Sequence, residues 1–257
     1  MWRWYAARLG DSGDDALGVA ALIALFVLSA GGRDGTRTPP RRWETMPAAL
    51  ALVAYAASFP FVPPLASALL AFVALGLSWS LWRHGTPFRP WTLGLALLGL
   101  PMAASLQFYL GYPMRVASGS IALVLLRLSG VPVVREGVYL RWGSELVMID
   151  APCSGIRMLW AGLLLGCCLA AVYRMRARAS LLAVAAAAVL ALLGNAVRTT
   201  ALFWADAGSL AGVALPPAAH EGIGIVAFAA AAVALIAIAR RLAKQGGVAC
   251  VAPSSSS

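Results

Sequence analysis

Three short polar stretches interrupt an otherwise apolar chain: Ala-Pro-Cys-Ser-Gly-Ile-Arg (151–157), Gly-Asn-Ala-Val-Arg (194–198) and His-Glu-Gly-Ile-Gly (220–224). They supply a thiol (Cys153), a guanidinium (Arg198) and an imidazole (His220). These are the groups that covalent acyl chemistry needs. A thiolate is a strong nucleophile, and a nearby cation or histidine lowers its pKa. An imidazole can take the thiol proton and later protonate a leaving amine. A guanidinium can hold the thiolate or the oxyanion of a tetrahedral intermediate. Arg157 follows Cys153 by four residues, on the same face of a helix, where it suits a substrate carboxylate or the lipid headgroup layer. Asn195 precedes Arg198 by three residues and can orient that side chain or bond across helices. Ser154 adds a hydroxyl beside the thiol.

The elements that must position these groups are membrane helices. Of 257 residues, 61% are hydrophobic and only 12% charged, against about 25% charged in soluble domains. Mean hydropathy is +0.82. So few charges cannot cover the surface of a soluble globule, which excludes a soluble enzyme, a disordered chain and a nucleic-acid binder. The composition predicts an all-α polytopic membrane protein. A hydrocarbon core of about 30 Å needs roughly 20 apolar residues per helix. Seven spans are expected, at about 16–31, 47–61, 65–82, 91–110, 155–173, 179–199 and 221–239. The run 116–126, bracketed by Arg115 and Arg127, is about half a membrane thick and reads as an interfacial or re-entrant half-helix. Aspartates 11, 14 and 15 flank the first span where a signal peptide would be positive, so it reads as a helix. Between residues 131 and 149, three β-prone runs (Val131–Val134, Val138–Trp142, Glu145–Ile149) alternate with Glu136-Gly137 and Gly143-Ser144, predicting a small extracytoplasmic β-hairpin element. Residues 1–248 form one integral-membrane domain, with a catalytic part over about 100–240. Residues 249–257, ending in four serines, are expected to be a disordered tail.

Loop charge sets the orientation. With seven spans, one side holds 12 basic residues, among them Arg33, Arg83, Arg174 and Arg240, against 2 acidic, Asp34 and Glu44; the other side balances at 8 and 8. The positive-inside rule makes the first side cytoplasmic, with the N-terminus outside and the C-terminus inside. Were 116–126 a full span, the basic loops on either side of it would fall on opposite sides. The net charge of +10 is therefore a topology signal. Cys153, Arg198 and His220 fall at one depth on the extracytoplasmic face, at the ends of three consecutive helices.

Taken singly, each residue has an ordinary explanation. A helix cysteine is usually a small buried hydrophobe, an arginine at a helix end snorkels to headgroups, and a loop histidine needs no role. Their coincidence at one depth favours chemistry. Cys167 and Cys168 lie 14 and 15 residues beyond Cys153, roughly 20 Å deeper along a helix and beyond disulfide reach; Cys250 falls in the cytoplasmic tail. Cys153 thus has no intrachain partner outside. His84, between arginines in a short loop, reads as solvated. Gly162 and Gly166 give a GxxxG spacing for close helix packing. Asp206 and Glu221 are candidate counter-charges for the arginines. Two histidines cannot supply a usual zinc set, so no metal is expected, and nothing calls for a cofactor.

The string Pro152–Arg157, followed by Asn195-x-x-Arg198 and by His220 with nearby glycines, resembles the exosortase/archaeosortase family. The similarity covers about 100–240, including Glu136–Leu140 before the cysteine. Met158 departs from the small polar residue expected after Ile-Arg. The resemblance implies an extracytoplasmic Cys–Arg–His peptidase or transpeptidase of the inner membrane, with the family's nucleophile on Cys153, its arginine on Arg198 and its histidine on His220. It implies membrane-anchored protein substrates with a tripartite C-terminal signal of the PEP-CTERM type: a motif, a transmembrane helix and a basic end. The other class the residues allow is a non-enzymatic subunit of a polysaccharide or lipid export system, with Arg198 and His220 lining a polar path. A thiol–disulfide protein fits poorly, lacking CxxC; HExxH and GxSG are absent as well.

Overall fold

The computed structural model describes residues 16–30, 41–59, 61–86, 88–143, 145–149, 154–208 and 217–245. They form eight helices and one small sheet: α1 (Ala16–Ala30), α2 (Arg42–Ser58), α3 (Pro64–His84), α4 (Pro90–Leu98), α5 (Ala103–Leu128), β1 (Val134–Glu136), β2 (Tyr139–Trp142), β3 (Glu145–Met148), α6 (Ile156–Val172), α7 (Ala177–Gly208) and α8 (Pro217–Gln245). Four stretches are long and apolar enough to cross a membrane: Pro64–His84, Ala103–Leu128, Ala177–Ala205 and Ala218–Gln245. The protein is thus a multi-pass membrane protein, with four such helices among the described residues where seven were expected. The apolar stretches Leu17–Ala30 and Ile156–Val172 are shorter. Asp11, Asp14, Asp15 and the serine tail lie outside the described residues.

The expected span 91–110 and the expected half-helix 116–126 are both redrawn. Helix α4 stops after nine residues, and the chain is non-helical from Gly99 to Met102. Pro101 explains the stop: it offers no N–H and disfavours a helical residue before it. From Ala103 the chain is helical without interruption to Leu128, through Pro113. Residues 116–126 are therefore the second half of α5, not a separate half-helix. Two contacts set the course of this path. A Cβ on Gly94 of α4 would lie 2.6 Å from Cys167 Sγ of α6, and Gln107 of α5 is hydrogen-bonded to Ser154, just before α6. From residue 94 to residue 107 the broken path runs antiparallel to α6 along most of its length.

Small residues let the helices around the site pack closely. A Cβ on Gly162 of α6 would lie 3.4 Å from the Ala187 carbonyl and 3.5 Å from Ala191 Cβ, and one on Gly166 would lie 3.1 Å from Ala187 Cβ. This is the expected use of the GxxxG spacing. Helix α8 packs along α7, so α6, α7 and α8 form a contiguous group. Deeper in the bundle Cys167, Leu95, Trp91, Ala183 and Ala239 share one core. At the end of the bundle away from Gly155, the Arg83 guanidinium caps the Ser29 carbonyl of α1, Trp79 Nε1 donates to Ser29 Oγ at 2.9 Å, and His84 is half-buried with its ring 5.3 Å from that of Trp91. His84 is thus a packing residue of this end, where the sequence suggested a solvated one.

The sheet is a three-stranded antiparallel meander in the order β1-β2-β3, one strand more than a hairpin. Glu136 pairs with Tyr139 and Trp142 with Glu145, so both turns have two central residues. Gly137 (φ +63°) and Gly143 (φ +60°) supply the positive φ such turns need. The first strand begins at Val134. Val131 and Val133, expected within it, instead pack with Leu126, Leu140, Ile149 and Phe203. That core fastens the sheet to the ends of α5 and α7.

Candidate active site

The start of α6 is held by the Gly155 backbone lying against Asn195 and by two hydrogen bonds of Ser154. Gly155, at the N-cap, has φ +81°, a conformation that costs other residues steric strain. A Cβ on it would also fall 2.7 Å from Asn195 Cγ. Glycine is required there twice over, and its absent side chain lets the Asn195 amide press against the start of α6. Ser154 Oγ donates to Gln107 Oε1 at 2.7 Å and accepts from the Ile156 N–H at 3.4 Å. Asn195, fully buried, donates from Nδ2 to Ser118 Oγ at 3.0 Å, and its carbonyl accepts from Thr199 Oγ1 at 2.9 Å. Thus α5 touches α6, α6 touches α7 and α7 touches α5, each time through a polar side chain. Asn195 thus bonds across helices, one of the two roles expected of it.

One turn beyond Asn195, Arg198 crosses to α8. A Cβ on Gly224 would lie 3.1 Å from Arg198 Nε and 3.3 Å from Cζ, so the guanidinium lies against the bare backbone of that helix. His220 is four residues before Gly224, hence on the same face. Arg198 and His220 are both half-buried, while Arg157 and Glu221 are exposed. Cys153, with Ala151 and Pro152, lies outside the described residues, as does the Asp206 side chain. The structure therefore brings together Ser154, Asn195, Arg198 and the α8 face carrying His220, and leaves Arg157 facing outward. Among the described residues no three His, Cys, Asp or Glu side chains gather as a metal site would require. Cys167 and Cys168 are free thiols, the first buried, in the α4–α6 core.

Met158 fills the space where a small polar residue was expected. It is buried against Ala191 and Ala227, and a Cβ on Gly194 would lie 3.1 Å from its sulfur. A cavity of about 410 Å³ opens between Pro63–Leu65 and the first turns of α5, with Ser105, Phe108 and Tyr109 on its wall. At 100° per residue these positions turn away from Gln107, and neither Ser154, Asn195, Arg198 nor His220 lines the cavity. Two residues of the polar cluster, Gln107 and Ser118, were not picked out from the sequence. Their signal was present: both are polar, in an apolar helix, 11 residues or three turns apart and so on one face.

The family model of transmembrane exosortases matches residues 4–237. The chain belongs to that family. No curated protein and no solved structure matches it. The match takes in α1 through most of α8, including every element around Asn195, Arg198 and His220. Membership supports, in general terms, a membrane peptidase or transpeptidase that acts in protein sorting, with membrane proteins as substrates.

Proposed function

We propose that the chain cuts C-terminal sorting signals from secreted proteins at the extracytoplasmic face of the inner membrane, with Cys153 as nucleophile, His220 as proton carrier and Arg198 as oxyanion holder. The observation that carries this reading is the contact chain from Gly155, two residues after Cys153, to Asn195, one turn from Arg198, whose guanidinium lies against Gly224, one turn from His220. The loop charges support an orientation with this end of the bundle outside, the N-terminus outside and the C-terminus in the cytoplasm.

The chemistry runs as follows. His220 takes the Cys153 proton, and the sulfur attacks the carbonyl carbon of the scissile peptide. The oxyanion of the tetrahedral intermediate faces the Arg198 guanidinium. Collapse breaks the C–N bond, and the leaving amine departs with the proton from His220. The acyl group stays on sulfur as a thioester. An amine or water then attacks it, the carbon–sulfur bond breaks, and the thiol is restored. The N-terminus of α6 lends a favourable field to the thiolate. The substrate carries a short motif, a transmembrane helix that packs beside α6–α8, and a basic cytoplasmic end. Exposed Arg157 meets a substrate carboxylate or the lipid headgroups.

The test is processing of a substrate with such a tail by Cys153→Ala and Cys153→Ser. Both are expected to abolish it while the protein accumulates normally. Unchanged processing in both would leave the thiol without a role and the reading without support.

A further inference from the structure

We infer that Gln107 of α5 is a positioning residue for this site: it fixes the start of α6, from Ser154 onward, against α7. The inference rests on the reading of Cys153 as nucleophile, to which Gln107 acts only through Ser154.

Three observations carry it. The first is the hydrogen bond from Ser154 Oγ to Gln107 Oε1, 2.7 Å long and made between residues 47 apart in sequence. Because Ser154 Oγ also accepts from the Ile156 N–H, its hydroxyl is held from both sides. Ser154 is thereby committed to structure. The second is the seat of the Gln107 amide. A Cβ on Gly111 would lie 2.9 Å from Gln107 Nε2 and 3.2 Å from Cδ. The amide folds along α5 into the slot that Gly111 leaves open, which restricts a side chain that otherwise has three rotatable bonds. The third is the second polar contact on the same face of α5, where Ser118 Oγ accepts from Asn195 Nδ2 at 3.0 Å. With Gly155 against Asn195 the three helices close a triangle. Apolar packing alone tolerates small slides along a helix. Two directional bonds some 16 Å apart on one helix do not, so α5 holds α6 and α7 in register with each other.

The removal of one partner differs from the removal of both. Gln107→Leu leaves the Ser154 hydroxyl with no acceptor from α5, a stranded donor; Ser154→Ala in the same chain takes the stranded group away. Two groups that act as one contact give non-additive effects in such a cycle. The experiment uses the full chain in proteoliposomes, with Cys167, Cys168 and Cys250 replaced by alanine. It measures kcat and KM for a tailed substrate, and the rate at which an impermeant maleimide alkylates Cys153. Gln107→Leu is expected to lower kcat about tenfold with little change in KM, as a displaced nucleophile should, and to change the alkylation rate at least about threefold. The double variant is expected to be no worse than the poorer single one. Gln107→Asn, which keeps the amide but withdraws it by one methylene, repeats the loss if Gln107→Leu does not accumulate. Wild-type kcat and alkylation in Gln107→Leu or Gln107→Asn overturns the inference, as does a double variant whose losses multiply. Failure of the underlying reading looks different: Cys153→Ala then processes substrate normally, while the alkylation rate still reports whether Gln107 sets the position of the thiol.

Discussion

Glycines 222 and 224 lie two residues apart on α8, and only one of them touches Arg198. An alanine at 224 would put its methyl 3.1 Å from Arg198 Nε and 3.3 Å from Cζ, while a methyl at 222 would meet nothing within 4 Å. Comfortable carbon contacts begin near ~3.5 Å, so Gly224→Ala should push the guanidinium back by about 0.3 Å. A displacement of 1 Å in a catalytic group can cost ~100-fold in rate. Scaled in the logarithm, 0.3 Å corresponds to roughly fourfold. Gly224→Val, with two more methyls on the same side, should approach the full ~100-fold. Both alanine variants gain the same helix propensity, up to about 1 kcal/mol, but Gly224→Ala also displaces a neighbour, so its thermal midpoint should rise no more than that of Gly222→Ala. The assay is the processing rate of a tailed substrate in proteoliposomes, beside thermal unfolding in detergent. Gly222→Ala should process within about twofold of the parent, a change too small to signal lost transition-state binding. If Gly222→Ala and Gly224→Ala slow processing equally, or Gly224→Val leaves it intact, the seat of Arg198 on Gly224 has no part in the reaction.

Two further outcomes are expected. Arg198→Lys should lower processing at least about tenfold, because an ammonium cannot reproduce the planar pair of donors that a guanidinium offers an oxyanion; wild-type rates in that variant would reduce Arg198 to a point charge. Gly155→Ala should destabilise the protein far more than Gly162→Ala. It combines a left-handed backbone costing about 1–2 kcal/mol with a 2.7 Å clash on Asn195, whereas position 162 offers contacts of 3.4 and 3.5 Å; equal thermal midpoints for the two variants would contradict the geometry.

Much of the fold follows from local chemistry that a reader of the sequence can see. The turns of the sheet need positive φ, and Gly137 and Gly143 stand there. Gly162 and Gly166 at helical spacing ask for a close neighbour, and the alanines of α7 provide one. The polar helix ends stood out because the chain around them is apolar, and the structure joins Ser154, Asn195, Arg198 and the His220 face. The fourth span was less readable. Pro113 and Arg115 mark a boundary in any hydropathy profile, yet α5 continues through them, and Arg115 Nε reaches back to the Gly111 carbonyl at 3.4 Å. Pro101 lies in a run of apolar residues that looks unbroken, and there the helix does stop. Whether a proline ends a membrane helix depends on what satisfies the freed carbonyls, which is tertiary information. The same holds for Gln107 and Ser118. Their polarity was visible, but nothing local says that an amide on one helix meets a serine 47 residues away.

Helix α7 is longer than a bilayer crossing requires. Its 32 residues extend about 48 Å, well beyond a hydrocarbon core of about 30 Å. Because Gly155 meets it at Asn195, the turns from 196 to 208 overhang the start of α6, and Phe203 on that overhang carries the sheet. Long helices meet a change in bilayer thickness by tilting. Pivoted at the Ala187 contact with Gly162 and Gly166, a tilt of about 5° would move the backbone at Arg198 by about 1.4 Å and at Phe203 by about 2 Å, from the helical rise alone. Arg198 sits on the arm of such a lever and not at its fulcrum, and the bond of Asn195 to Ser118 and its contact with Gly155, one turn away, oppose that movement.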